Sequence, residues 1–298
     1  MSVRPSAVAL LPTAPGVYRF RDVQGRALYI GRAGNLRRRV SSYWGDLRDR
    51  PRLRRMVPQI VGIEALVCAS EHEAAWVERM LLEHRKPRWN RVAGGLENPV
   101  YVRLDTSTPS IAVSHERVET SSVRCYGPFL GGGATRLAVA ALERVYPLSY
   151  SRSRLTGTAR DLARIHAVAT ADAGALVDTV DAVLRRDPGA VSAARAALVA
   201  KRDAAAGVEL FEVASRIHEE LGGFEWVVAP VRMFCAHADL AGSADGMQVT
   251  LRFRSGRLRT WEQAPTTSGA VTAPAEWHDF LCRNATLAAA LHGHPLHD

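Results

Sequence analysis

The chain is poor in cysteine. Its 298 residues include four cysteines, and no two of them lie close enough in sequence to form a paired metal-ligand motif. This spacing argues against a zinc-finger type of site and against a scaffold held together by disulfides. We expect the four to be reduced and mostly buried thiols: Cys68, Cys125, Cys235 and Cys282.

Long apolar runs are also absent. No stretch approaches the about 18 apolar residues of a membrane-spanning helix. Residues 1–15 carry a single charge, Arg4, and have neither the long apolar core nor the cleavage pattern of a secretion signal. These absences predict a cytoplasmic protein, and the length allows two or three small domains.

Lysine is nearly missing, with two residues against 37 arginines, and the positive charge is concentrated at one end. Residues 1–91 hold 18 basic and 8 acidic residues, a net charge of +10, whereas residues 92–298 hold 21 and 22, a net charge of −1. A basic region of this kind binds a phosphate backbone by releasing counterions. Charge alone does not separate DNA from RNA or from an acidic membrane.

Two short segments near the N-terminus predict a β-hairpin. Residues 17–21 and 27–31 are rich in aromatic and β-branched types, and residues 22–25 between them have turn chemistry. With a four-residue loop, paired residues have numbers that sum to 47, so Tyr18 is expected opposite Tyr29 on one face. The two phenols would converge there, either as an ordinary cross-strand aromatic pair or as part of a site.

An arginine-rich helix is predicted directly after the hairpin. Asn35 is a suitable N-cap, and Asn35, Arg39 and Tyr43 then share one helix face at successive i, i+4 steps. A guanidinium offers planar, permanently charged donors that suit a phosphate. For the neighbouring Arg37 and Arg38 the alternative is a solvated basic face that only touches a DNA backbone.

A second helix is predicted over residues 70–85. Ser70 and Glu73 have capping-box spacing, and residues 63–68 before them predict a third strand. Glu78 falls on the apolar stripe of this helix, where a carboxylate needs a cation as partner. Four other charged residues of the helix are expected to face water: Glu71, Glu73, Arg79 and Glu83.

These elements together resemble the GIY-YIG nucleases and, among them, the N-terminal half of the UvrC excinuclease family with its shorter Cho-like homologues. The resemblance rests on the following segments: Gly16-Val17-Tyr18, Tyr29-Ile30-Gly31, the arginine run from Gly31 to Tyr43, the Glu78 helix, and Pro87-Arg88-Trp89-Asn90. It implies an α+β fold in which a small three-stranded sheet is flanked by helices. A helical region and a small α/β C-terminal segment are expected to follow.

The resemblance also implies roles for individual residues. Tyr18 or Tyr29 would help deprotonate the attacking water, Arg39 would neutralise the scissile phosphate, and Glu78 would hold one Mg²⁺ or Mn²⁺ ion. Asn90 would orient the site, with Arg32 and Tyr43 in support. Three further residues would contact DNA: Asn35, Arg37 and Arg38.

The same resemblance divides the chain into four segments. The nuclease domain would span residues 12–92, and a connecting segment residues 93–150. A helical region, residues 151–222, would include a UVR-like hairpin, residues 198–221, that either binds UvrB or packs on its own core. Residues 223–298 would form the C-terminal segment. Because residues 150–156 contain no cysteine, the iron-sulfur cluster of the family is expected to be absent.

The function implied is a metal-dependent DNA endonuclease of the nucleotide-excision type. It would make a single incision on the 3′ side of damaged or distorted DNA. Two alternatives stay open at this point, namely a non-catalytic adaptor that binds DNA and UvrB, and a GIY-YIG nuclease that acts on branched DNA.

Overall fold

The computed structural model describes residues 6–90, 98–151, 155, 157–165, 169, 172–233, 237–267, 272–292 and 294. The chain divides into two compact units. One contains residues 1–96 together with 230–298, and the other contains residues 97–229. Residues 223–298, assigned from the sequence to one C-terminal segment, are thus divided between the units. Within the described part of the chain, no helix combines the length and apolarity needed to cross a bilayer.

The first unit begins with a three-stranded antiparallel sheet of order β2-β1-β3. This arrangement confirms the α+β class and the small sheet flanked by helices. The elements are α1 (Ala7–Leu10), β1 (Gly16–Arg21), β2 (Ala27–Ala33), α2 (Leu36–Ser41), α3 (Pro51–Met56), β3 (Gly62–Val67) and α4 (Glu71–His84).

The hairpin forms where predicted, but its register was wrong by two residues. Tyr18 pairs with Gly31, and Phe20 pairs with Tyr29. The physical reason is a longer turn, in which the Asp22 carboxylate accepts the backbone N–H of Arg26 at 2.8 Å, together with a register shift after Phe20. A slip of two residues preserves the face of each side chain, so Tyr18 and Tyr29 still lie on one side of the sheet.

Each edge of this sheet is covered by an asparagine side chain. On β2, Asn90 accepts the N–H of Ile30 at 2.9 Å and donates to its C=O at 2.6 Å. On β3, Asn284 accepts the N–H of Val67 at 2.7 Å and donates to its C=O at 3.2 Å. A carboxamide carries one donor and one acceptor in the arrangement of a peptide group, so it can satisfy an exposed strand edge.

Helix α4 starts with the predicted capping box. Ser70 accepts the N–H of Glu73, and Glu73 accepts the N–H of Ala69 at 2.6 Å. The expectation that Glu73 faces water was wrong. Its carboxylate is fully buried because it also accepts the N–H of Arg232 at 2.8 Å, from a segment 159 residues away.

The second unit contains an antiparallel sheet of order β5-β4-β6 and a group of helices. A buried cluster joins the sheet to the helices, and Arg144 bonds Glu220 through two nitrogens at 2.5 and 2.8 Å. The helical character expected for residues 151–222 is observed in their described part. The elements are β4 (Val100–Asp105), β5 (Ser110–Ser114), β6 (Val123–Phe129), α5 (Gly132–Val145), α6 (Thr158–Ile165), α7 (Ala173–Leu184), α8 (Pro188–Gly207) and α9 (Phe211–Val228).

The end of the chain returns to the first unit. It supplies the sheet β7-β8-β9 and a last helix, namely β7 (His237–Ala244), β8 (Met247–Arg254), β9 (Arg257–Pro265) and α10 (Ala275–His292). Residues 226–228, assigned from the sequence to the C-terminal segment, are the last residues of α9. Strand β9 contacts the first sheet directly, since Gln263 donates to the C=O of Ala65 at 3.0 Å.

The described cysteines are free thiols, but they are less buried than expected. Cys68 is buried, whereas Cys125 and Cys282 are half-buried. Cys235 lies outside the described residues. The prediction of mostly buried thiols was therefore wrong for two of the three that the structure describes.

We expect Asn284→Ala to destabilise the protein, because the Val67 N–H and C=O would both lose their partner in the interior. Two buried backbone groups without partners cost about 3 kcal/mol together. Urea denaturation would measure the loss. Arg283→Ala, which truncates an exposed side chain of the same helix, is the matched control and should change little. Equal stability of the two variants would contradict the edge-covering role of Asn284.

Candidate active site

A cluster of aromatic rings fills one face of the first sheet. Strand alternation places Tyr18 and Phe20 on the same side of β1, and β2 adds Tyr29. Tyr43 reaches them from a short 3-10 helix, Ser42–Trp44, directly after α2. The ring centroid of Tyr18 is 6.1 Å from that of Tyr29 and 5.9 Å from that of Tyr43. Three of the predicted site residues therefore meet in space.

The hydroxyl of Tyr18 is held by two of these neighbours. It lies 2.7 Å from the hydroxyl of Tyr43, and Arg39 donates to it through Nε at 3.4 Å. The guanidinium carbon of Arg39 is 5.5 Å from the centroid of the Tyr43 ring. Arg39 thus joins the phenol cluster from α2.

Burial determines the acidity of the two inner phenols. It raises the pKa of Tyr18 well above the ordinary value, and the neighbouring Tyr29 raises it further, whereas Tyr43 and Arg39 act in the opposite direction. Burial likewise raises the pKa of Tyr43. Both phenols are therefore protonated at neutral pH.

Gly31 permits this packing. A β-carbon built at Gly31 would lie 2.5 Å from the hydroxyl oxygen of Tyr18 and 2.7 Å from a ring carbon of Tyr29. The Tyr18 ring cannot retreat easily, because Tyr18 is fully buried and bonded to Tyr43. The glycine of the second motif is thus required by the close approach of two tyrosines.

Glu78 lies on α4 as predicted and faces arginines. Its carboxylate is 3.3 Å from Nε of Arg32 and also accepts the backbone N–H of Arg32. Burial raises the pKa of the Glu78 carboxyl, while Arg32 and Arg39 oppose that rise. Arg39 thus lowers the pKa of both Glu78 and Tyr18.

A hard divalent cation fits the chemistry of this carboxylate. The Glu78 side chain is 17% exposed and offers oxygen ligands, which Mg²⁺ prefers. In the described part of the chain, no group of three or more His, Cys, Asp or Glu side chains is arranged to hold a metal. One ion on Glu78 would therefore keep most of its water ligands, as Mg²⁺ commonly does.

Asn90 bonds the backbone of strand β2. Both polar atoms of its carboxamide bond Ile30, the residue between Tyr29 and Gly31. This contact fixes the strand that presents Tyr29 to the cluster. The expected orienting role of Asn90 remains a prediction. Its bonds to Ile30 would let it act on the adjacent Tyr29.

The three residues expected to contact DNA lie beside the cluster around the start of α2. Asn35 is the N-cap and accepts the N–H of Arg38 at 2.9 Å. Arg37 donates through Nε to the C=O of Leu11 at 2.6 Å, and Arg38 is exposed. All three line a shallow groove of about 460 Å³ with Thr13, Ser41, Ser42 and Gly45.

Sequence patterns missed two features of the site region. Gly31 was noted as a motif residue without a role, and only the observed register shows that it faces Tyr18. Glu73 was treated as a surface capping residue. Its position at N3 of the capping box was the available signal, but the bond to Arg232 depends on a distant segment.

Comparison with known proteins agrees with this geometry. Residues 14–91 match the family model described as the UvrC-like GIY-YIG domain. Residues 14–91 are a UvrC-like GIY-YIG domain. All of the aromatic cluster, Arg32, Arg39, Glu78 and Asn90 lie within that range. The expected resemblance is confirmed.

Relatives extend the similarity beyond the GIY-YIG domain. UvrABC system protein C of Trichlorobacter lovleyi is 34% identical over 152 residues, which cover 50% of this chain and 25% of the relative. The protein of the same name from Corynebacterium aurimucosum is 29% identical over 278 residues, covering 84% of this chain and 39% of the relative. The chain thus spans less than half the length of these relatives.

A solved structure is also similar in the GIY-YIG region. It is the GIY-YIG N-terminal endonuclease domain of UvrC from Thermotoga maritima, bound to magnesium as its catalytic divalent cation. The sequence identity is 31% and the TM-score is 0.26. The similarity covers 28% of this chain and 90% of that one.

We expect Gly31→Ala to abolish the activity of the GIY-YIG domain and lower its thermal stability, because the new methyl group would displace Tyr18 and Tyr29. Gly34→Ala is the matched control. Its methyl group would meet only the end of the exposed Glu71 side chain, which can swing away. Thermal unfolding and near-ultraviolet circular dichroism would compare the two. An unchanged aromatic signal in Gly31→Ala would contradict the packing argument.

Proposed function

We propose that this protein is a metal-dependent DNA endonuclease of nucleotide excision repair, making one incision on the 3′ side of damaged or distorted DNA. The observation that carries the proposal is the convergence of the phenol cluster, Arg39 and Glu78 within a UvrC-like GIY-YIG domain. These groups combine a phosphate-binding cation, a metal-binding carboxylate and candidate proton acceptors. Such a protein would work in the cytoplasm.

DNA would lie along the arginine-rich side of the domain. Residues 1–91 carry a net charge of +10. Arg38 is exposed beside the site, so its guanidinium can reach a phosphate without breaking an internal bond. Arg39 would bind the scissile phosphate, because it is the arginine that contacts the phenols. We expect binding to weaken steeply with salt.

Tyr29 would accept the proton of the attacking water. Tyr18 is fully buried and its hydroxyl is bonded to Tyr43, whereas Tyr29 is only half-buried. A phenol with a pKa near 10 is a poor base, so nearby cations must lower that value before it can act. A Mg²⁺ or Mn²⁺ ion held by Glu78 would polarise the phosphate and stabilise the leaving oxygen.

We expect Glu78→Ala to abolish incision while DNA binding is largely kept, since the variant loses the metal ligand but retains the arginines. The assay is cutting of end-labelled duplex DNA with a bulky lesion or a bubble, in Mg²⁺ or Mn²⁺, with and without UvrA and UvrB. Glu71→Ala is the matched control, because it removes the same charge from the exposed start of the same helix.

The pattern of cutting separates the possible functions. Incision on the 3′ side that is lost in Glu78→Ala and kept in Glu71→Ala supports the proposal. Unchanged cutting by Glu78→Ala would show that Glu78 is not the ligand of the catalytic metal ion. Salt-sensitive DNA binding without any cutting by the unmodified protein would instead favour the adaptor, and preference for junctions over lesions would favour the branched-DNA nuclease.

UvrB is the protein partner that we propose. Helices α8 and α9 form a hairpin within the second unit, and its tip exposes apolar side chains. Phe211 is 66% exposed, and Leu210 is 54% exposed. Val208 and Val213 extend this apolar tip. Exposed apolar side chains grouped at one point are typical of a docking surface.

We expect Phe211→Ser to weaken binding to UvrB at least about tenfold, because a large apolar contact would be lost. The variant should fold normally, because the Phe211 side chain is mostly exposed to water. Val118→Ser, an exposed apolar residue elsewhere in the same unit, is the control. Surface plasmon resonance with immobilised UvrB would measure both. Equal affinities would show that the tip is not the contact.

A further inference from the structure

The first unit contains a cavity of about 370 Å³ that the nuclease site does not use. It lies against the other face of the sheet, because Arg19 and Arg21 of β1 alternate with Tyr18 and Phe20. Strand β9 and the end of α4 complete it. The lining is basic, with five arginines: Arg19, Arg21, Arg26, Arg85 and Arg259.

Positive charge exceeds negative charge around this cavity. Two of the arginines, Arg19 and Arg21, share Glu64 at 2.5 and 3.0 Å. A third, Arg26, pairs with Asp22 at 2.9 Å, and Glu262 is the one carboxylate in the lining. Five arginines against three carboxylates leave two positive charges in excess. Among the described residues, neither Arg85 nor Arg259 forms an ion pair.

Buried donors in the lining lack acceptors. Arg19 is 7% exposed, and its guanidinium is 4.5 Å from the ring centroid of Trp261, which is 1% exposed. Nη2 of Arg19, Nε1 of Trp261 and Oγ1 of Thr260 are buried without a hydrogen-bond partner among the described residues. Buried polar groups are normally bonded, so the unpartnered Nη2 of Arg19 and Nε1 of Trp261, whose side chains are stacked on each other, indicate a missing acceptor.

The protonation of Arg19 agrees with this interpretation. Burial lowers the pKa of its guanidinium from the ordinary value, and Glu64 and Glu262 compensate only in part. A further anion would stabilise the charged form. The cavity offers N–H donors and cationic charge, which together recognise a phosphate group better than a neutral ligand.

We propose that this cavity binds a phosphate group, either as a free phosphate compound or as part of a nucleic-acid strand. The phosphate would accept hydrogen bonds from Arg19 and Trp261, with Arg259 neutralising its charge. The site lies on the sheet face away from the tyrosines, so it is separate from the proposed incision site and does not depend on that function.

Indole N–H signals provide a direct test. In protein labelled with nitrogen-15 at tryptophan, inorganic phosphate should shift the Nε1–H signal of Trp261 in a saturable manner, with Trp261→Phe identifying that signal. The Trp226 indole already donates to the C=O of Leu130 at 2.7 Å in the second unit, so its signal should not move. No saturable change at Trp261 would overturn the proposal.

Calorimetry with two variants gives an independent measurement that does not require substitution of a core residue. Arg259→Gln should weaken phosphate binding about tenfold, the loss expected for one charge-assisted contact. Arg257→Gln removes the same charge two residues away on β9, outside the lining, and should leave the affinity within about twofold. Equal weakening in the two variants would show diffuse attraction and no defined site.

The source of the phosphate is distinguished by a second titrant. A short single-stranded deoxyoligonucleotide, added without divalent metal to Glu78→Ala protein, should shift the Trp261 signal if a nucleic-acid strand reaches the cavity. Arg259→Gln should then weaken oligonucleotide binding more than Arg257→Gln. If phosphate shifts the signal and the oligonucleotide does not, the ligand is a free phosphate compound. Because no cutting is measured, failure of either titration leaves the nuclease proposal untouched.

Discussion

The alternation of side chains along one strand organises the first unit. β1 is the middle strand of three, so both of its edges are paired, and its side chains are buried on both faces. Its odd and even residues differ in chemistry: Tyr18 and Phe20 enter the aromatic cluster, and Arg19 and Arg21 enter the basic cavity. A strand repeats every two residues, and this period therefore separates a phenol-rich face from a cationic one. A slip of one residue would exchange the two environments.

A three-stranded sheet has two edge strands and one central strand. In this unit each edge strand is covered by a side chain from outside the sheet. Asn90 follows α4, while Asn284 belongs to a helix 217 residues from its partner Val67. Three contacts attach residues 230–298 to the GIY-YIG domain. They are the bonds of Asn284 to Val67, of the Arg232 N–H to Glu73 and of Gln263 to Ala65. Residues 230–298 therefore contribute to the stability of residues 14–91.

Local signals predicted local structure well. The Ser70 capping box, the Asn35 cap and the turn after Phe20 each depend on residues within a few positions, and each formed. The predicted hairpin register was wrong because the observed turn has one extra residue and the strands contain a bulge. These arrangements differ little in energy from the predicted one, and no residue pattern distinguishes them. Glu73, Asn284 and Trp261 were missed for another reason. Each acquires its role from a partner more than 150 residues away, which only the fold brings near.

The tyrosines of the cluster differ in burial, and this difference affects the chemistry that each can perform. Burial stabilises the packing of Tyr18 and Tyr43, but the same burial raises their pKa values and keeps them protonated. Their mutual hydrogen bond leaves one hydroxyl proton to be directed elsewhere, and Arg39 already donates to Tyr18. The inner phenols are therefore suited to hold Arg39 in place. In the proposed reaction, proton transfer requires a phenol that is accessible to water, and Tyr29 is half-buried on the edge strand that Asn90 bonds.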